Sequence, residues 1–151
     1  MFGARVIPVK TCRLADVGSG GGFPGLPMKI LRPELDLYLI ESNIKKATFL
    51  TEVVRELGLT GVRVLVSRYE ELSEEVAPLD VVCSRAVGEF GPFLDWASSP
   101  AISAQKVALW IGAQDAESVR RLGGWDWQEP HPIPHSLRRF ILVGDRKKPT
   151  E

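Results

Sequence analysis

Short apolar runs alternate with amphipathic stretches along nearly the whole of this chain. Cys12 to Val17 has the pattern of a short buried strand, and it breaks at a run of glycines. Leu26 to Leu31 continues as a helix. Pro24 is placed in its first turn, where a missing N–H costs nothing, and Arg32-Pro33 is its stop. Leu35 to Ile40 is a second apolar run and ends on Glu41. Ser42 is a suitable N-cap for the segment that follows. There Ile44, Ala47, Leu50, Val54 and Leu57 recur at helical spacing until Gly58, which leaves Lys45, Lys46, Glu52 and Glu56 on the wet side.

The alternation continues to the end. Val62 to Ser67 reads as a third strand, Glu70 to Glu75 as a short acidic helix, and Leu79 to Cys83 as a fourth strand. Phe90 to Ala97 reads as a helix, Gln105 to Ile111 as a fifth strand, and Ala113 to Leu122 as a charged helix. Trp125 to Gln128 and Leu137 to Val143 are two further strands with no helix between them. Strands alternating with helices at this spacing predict an α/β fold, a mostly parallel central sheet with helices on both faces. The last two strands predict an antiparallel hairpin at one edge. One domain, 1–146, is expected, with 147–151 as a frayed tail.

Composition narrows the class. The chain has 151 residues, enough for one domain with a hydrophobic core. No apolar run approaches the roughly 20 residues needed to cross a bilayer, and Met1 to Lys10 has no signal-peptide pattern. Cys12 and Cys83 are the only cysteines; they read as reduced core thiols of a cytoplasmic protein. His131 and His135 sit among three prolines that prevent helical ligand spacing, so no metal site is expected. Lys+Arg and Asp+Glu are equal at 19 each. A nucleic-acid partner would therefore need a local basic face. Lys45, Lys46 and the tail from Arg138 to Lys148 are its candidates.

Candidate chemistry gathers where a doubly wound sheet places ligands, outside the carboxyl ends of its strands. Asp16-Val17-Gly18-Ser19-Gly20-Gly21-Gly22-Phe23-Pro24-Gly25 follows the first strand, and Gly18, Gly20 and Gly22 let a ligand approach bare backbone. Glu41 ends the second strand, where a carboxylate can accept both ribose hydroxyls of an adenosine. Ser67-Arg68-Tyr69-Glu70-Glu71 follows the third and Ser84-Arg85-Ala86 the fourth. A phosphate loop would need Lys-Ser/Thr after Gly25, and Leu26-Pro27 stands there instead. Asp16 would repel a pyrophosphate but suits the ammonium and sulfonium of S-adenosylmethionine.

The string Asp16 to Pro27 resembles the cofactor motif of the bacterial 16S ribosomal RNA guanine-N7 methyltransferase family, also called glucose-inhibited division protein B. Glu41-Ser42-Asn43 with Lys45-Lys46 and Phe49-Leu50, Ser67 to Glu71, and Ser84-Arg85-Ala86-Val87 are similar to its later motifs. Arg139, in Leu137 to Ile141, resembles a late family arginine. The resemblance implies a class I, Rossmann-like methyltransferase that moves a methyl from S-adenosylmethionine to guanine N7 of 16S ribosomal RNA or a small-subunit particle. It places cofactor contacts on Gly18, Phe23, Tyr69, Glu70 and Arg85, to which the residue reading adds Asp16, Gly20, Gly22 and Glu41. Arg68, Arg85 and Arg139, with Lys45 and Lys46, are the candidates for gripping RNA. Arg85 and Arg139 are expected to serve the reaction by placement, because N7 carries a lone pair and no proton. A monomer is expected.

Two departures stand out. The family carries a long helical segment ahead of the glycine motif, where this sequence has 15 residues before Asp16; a fragment or a shortened form is expected. The family also has a lysine before the glycine ending strand five, where Ile111 stands here. A cofactor-binding module without turnover and a small-molecule methyltransferase are the alternatives left open.

Overall fold

In a computed structural model, which describes Ile7, residues 12–85 and residues 87–150, thirteen elements follow in order. They are β1 (Arg13–Val17), α1 (Gly25–Leu31), β2 (Asp36–Glu41), α2 (Ile44–Glu56), β3 (Val62–Val66) and a 3-10 turn (Tyr69–Glu71). Then come β4 (Val81–Ser84), α3 (Phe90–Ser98), β5 (Lys106–Gly112), α4 (Ala113–Arg120), β6 (Trp125–Trp127), β7 (His131–Pro132) and β8 (Arg139–Arg146). Ala86 of the fourth motif, the stretch Met1 to Lys10 apart from Ile7, and Glu151 of the expected tail lie outside the described residues.

The strands form one sheet in the order β3-β2-β1-β4-β5-β8-β6, with β7 paired to β8. β1 to β5 are mutually parallel, and β8 runs antiparallel to both β5 and β6. The order reverses between β1 and β4, and that switch point opens a crevice at the strand ends. The late antiparallel pair expected from the sequence is present. Its longer strand is not an edge: β8 sits between β5 and β6 and pairs with β5 over its full length, Lys106↔Asp145 to Gly112↔Arg139. An ion pair between Lys106 and Asp145 closes that register, so the polar residues after Val143 extend the strand.

Two apolar clusters cover the two faces, as a parallel sheet requires. Leu14, Leu37, Leu39 and Cys83 pack under Leu26, Met28 and Leu50 of α1 and α2. Ala15, Val82, Leu109 and Ile111 pack under Phe93, Leu94, Ala116 and Val119 of α3 and α4. Cys12 and Cys83 are both free and buried; burial, then the nearby Asp16, pushes the Cys83 thiol well above its usual range.

Four local expectations are corrected. Asn43, not Ser42, caps α2: its side chain accepts from the Lys46 N–H at 3.0 Å. Pro24 occupies the N-cap of α1, one residue before the helix. The acidic segment forms only the single 3-10 turn, ended by Leu72, whose N–H donates to Tyr69 O. Only Ala47 and Leu50 of the α2 stripe are fully buried; Ile44 is 71% and Leu57 53% exposed. Lys147, first residue of the expected tail, donates its N–H to Gly124 O at 3.0 Å.

Candidate active site at the strand ends

The glycine turn is fastened to the neighbouring strand. Gly18 and Ser19 donate their N–H groups to Ile40 O at 2.9 and 3.1 Å, and the Ser19 hydroxyl donates to Asp16 O at 2.7 Å. Gly18, Gly20 and Gly22 have φ of 70°, 54° and 92°, the left-handed region that a Cβ disfavours. Gly25 serves another purpose. A Cβ there would lie 2.8 Å from both Asp16 Oδ2 and Leu39 Cδ2. Its absence lets α1 sit close on β1 and β2, and lets the Gly25 N–H donate to Asp16 Oδ2 at 2.9 Å.

Asp16 is wholly buried, and its Oδ1 has no hydrogen-bond partner. Burial pushes its carboxyl from an ordinary 3.8 up to about 7, against the pull of the Gly25 N–H and Arg85, while Glu41 adds to the rise. The unfolded chain returns Asp16 to its ordinary value. From about pH 4 to about pH 7 the folded state therefore binds the extra proton, and stability falls as pH rises through this window. Thermal melts across it are expected to show a decline that Asp16→Asn removes, since asparagine keeps an acceptor for Gly25 without the charge. Parallel curves for the two proteins would contradict the assignment.

Glu41 connects two of the predicted motifs. One carboxylate oxygen accepts from the Gly20 N–H at 3.0 Å and the other from the Asn43 N–H at 2.9 Å. The side chain is almost buried, yet it lines a cleft of about 230 Å³ together with Gly18, Arg68, Tyr69, Glu70 and Gly88. Tyr69 is held edge-on against Phe93 and Trp96, with ring centroids 5.3 and 5.1 Å away. Burial, then Glu70, pushes its phenol up from the usual range.

A second hollow of about 340 Å³ opens at the ends of β4, β5 and β8, walled by Arg85, Trp110, Ile133 and Arg139. The loop after β4 joins the two hollows, giving Arg85 to one and Gly88 to the other. Phe23 is half exposed, with the Arg85 guanidinium 5.8 Å from its ring centroid. Arg139 begins β8 opposite Gly112, so the antiparallel strand delivers it to the edge where the parallel strands end.

The fold thus brings Gly18, Glu41, Arg68, Tyr69 and Glu70 to one cleft and Arg85 and Arg139 to the adjoining hollow. Arg68, read as an RNA contact, stands beside the four residues of that cleft read as cofactor contacts, Gly18, Glu41, Tyr69 and Glu70. Lys45 and Lys46 stand exposed on the first turn of α2 and line neither hollow. Ile111 is buried in the α3–α4 face. Trp110, its neighbour on β5, escaped the sequence reading. The available signal was a large aromatic two residues before the glycine that ends a strand. Among the described residues no three His, Cys, Asp or Glu gather as a metal site, and no helix is long and apolar enough to cross a membrane.

Comparison with known proteins agrees with this geometry. Among solved structures, a predicted O-methyltransferase from Agrobacterium tumefaciens covers 95% of this chain and 78% of its own, with TM-score 0.73 at 20% identity. TrmK of M. capricolum, solved with S-adenosyl-homocysteine, covers 96% of this chain and 66% of its own, with TM-score 0.73 at 15% identity. The fold is that of the class I S-adenosylmethionine-dependent methyltransferases. The ribosomal RNA small subunit methyltransferase G of Corynebacterium efficiens is 41% identical over 110 residues, 72% of this chain and 47% of that protein. That of Chromobacterium violaceum is 38% identical over 125 residues, 83% of this chain and 54% of that protein. The chain thus spans about half the length of these relatives. The model of the GidB family, rRNA small subunit methyltransferase G, matches residues 3–122, and the chain belongs to that family.

Proposed function

We propose that this chain binds S-adenosylmethionine in the cleft at the ends of β1 to β3 and methylates guanine N7 in 16S ribosomal RNA. The residues present fit that ligand. Glu41 spends one lone pair of each carboxylate oxygen on Gly20 and Asn43, and a carboxylate has about four acceptor sites, so two remain for vicinal hydroxyls. Asp16 is a buried carboxyl with an unpartnered oxygen, suited to a ligand that brings positive charge. Gly18 and Gly20 admit close backbone approach, whereas the bare side of Gly22 is filled by Leu26 and Leu50; Tyr69 and Glu70 stand where the adenine edge would lie, and Phe23 and Arg85 flank the reacting end. When bound, the cofactor supplies a methyl on a sulfonium: N7 forms the new bond with its lone pair while the carbon–sulfur bond breaks onto sulfur, and no proton moves.

One observation carries the reading from cofactor to substrate. The hollow beside the cleft is walled by two arginines, an indole and an isoleucine. It offers grips for phosphate or the guanine O6 edge, and no general base. Chemistry at N7 needs none, so positioning and electrostatics are the whole task. Lys45, Lys46 and Arg68 extend the positive charge along the same edge of the sheet. We propose action on free 16S RNA or the small-subunit particle, by a cytoplasmic monomer without metal.

The test is incubation of the protein with methyl-labelled cofactor and small-subunit RNA or particles. Borohydride and aniline treatment, which cleaves at 7-methylguanosine, is expected to cut at one labelled guanine. Label on small nucleophiles but not on RNA would reassign the substrate. Cofactor binding with no label anywhere would make the chain a binding module.

A further inference from the structure

We infer that Trp110 is the stacking surface for the target guanine, and that its indole face steadies the positive charge that methylation leaves on the purine. The inference rests on the reading of the site as a guanine-N7 methyltransferase. Trp110 projects from β5 on the same side as Ala108, next to Ile141 of β8. Its inner part packs on the cluster beneath α1 and α2, and its outer part walls the hollow with Arg85, Ile133 and Arg139. The other three tryptophans are committed to the fold. Trp125 is buried, Trp96 donates to Leu72 O and packs on Tyr69, and Trp127 packs where a side chain on Gly144 would stand.

The electrostatics of the hollow call for such a face. As the methyl carbon leaves sulfur for N7, one unit of positive charge moves onto the purine. Arg85 and Arg139 can hold O6 or phosphate, but each repels that charge. An aromatic face is negative at its centre and attracts a cationic ring more strongly than a neutral one. Stacking on Trp110 therefore gains strength along the reaction, which is the condition for accelerating it. Phe23 already faces the Arg85 guanidinium, which leaves Trp110 as the aromatic surface of the hollow itself. Bases stack on exposed tryptophan without any need for sequence-specific hydrogen bonds.

Two variants test this, Trp110→Phe and Trp110→Leu, with thermal melts to confirm folding. In the first experiment, guanosine 5′-monophosphate and its 7-methyl form are titrated into the protein while tryptophan fluorescence is followed. Wild type is expected to quench with both and to bind the methylated, cationic nucleotide about tenfold more tightly; Trp110→Phe is expected to lose the quench. In the second, methyl transfer to small-subunit RNA is expected to show kcat about tenfold lower in Trp110→Leu, with KM changed less, and partial recovery in Trp110→Phe. No quench in wild type, or an equal quench in Trp110→Phe, would overturn the stacking role. Equal affinity for the two nucleotides, or an unchanged kcat in Trp110→Leu, would overturn the charge role. A wild type that transfers no methyl to RNA refutes the proposed function instead, and the nucleotide titration still decides whether Trp110 stacks.

Discussion

Replacing Glu41 by alanine is expected to weaken S-adenosylhomocysteine binding by about two orders of magnitude, read by titration calorimetry. Two effects combine. The variant removes the acceptor proposed for two ribose hydroxyls, and hydrogen bonds to a charged group are worth about 1.5–3 kcal/mol each. It also strips the Gly20 and Asn43 N–H groups of their shared acceptor, so the glycine turn loses its tie to the start of α2. Water can replace part of that loss, which keeps the expected total near 3 kcal/mol, about 100-fold. Glu41→Gln keeps one carbonyl acceptor and is expected to fall between the two. A folded Glu41→Ala protein with wild-type affinity would remove the cleft from the cofactor reading.

Gly25→Ala is expected to be strongly destabilising, and Gly21→Ala nearly neutral. A Cβ on Gly25 would meet Asp16 Oδ2, Leu39 Cδ2 and Asp16 Cβ within 3.1 Å. These atoms belong to two central strands and cannot swing aside. The helix must lift, which strains the core by about 1–3 kcal/mol and stretches the Gly25 to Asp16 hydrogen bond. A Cβ on Gly21 meets nothing within 4 Å. Two alanines four residues apart, one in the turn and one opening α1, should therefore differ by several degrees in Tm. Equal melting temperatures would show that α1 is not packed on β1 as closely as described.

These two positions also show what the chain discloses before it is folded. Local rules found the turn, the acid that ends β2 and the order of strands, because each depends on neighbours within a few residues. Ser42 and Asn43 are both good caps, and only the path of the chain after Glu41 decides that Asn43 reaches back to Lys46. The bond from Gly20 to Glu41 spans 21 positions and has no local signature. Trp110 looks like any other apolar residue of a buried strand. Its meaning comes from β8, which pairs with β5 and sets Arg139 and Trp110 around the same hollow. Side-chain alternation along β5 carries half of that information, and the other half is long-range pairing.

The place of β8 sets an order on how the molecule can be completed. It is the last of the described strands, yet it is interior to the sheet, and among the described residues β6 pairs only with it. A ribosome that has delivered everything up to residue 138 has made all the residues that line the cleft at Glu41, but neither Arg139 nor the strand that pairs with the second side of β5. At that moment β5 is a bare sheet edge, open to pairing with any other extended chain. Insertion of the final strand closes the edge and supplies the second arginine together. The closing of that edge and the walling of the hollow beside Arg85 and Trp110 therefore come in one step, and loss of residues 139–151 removes both.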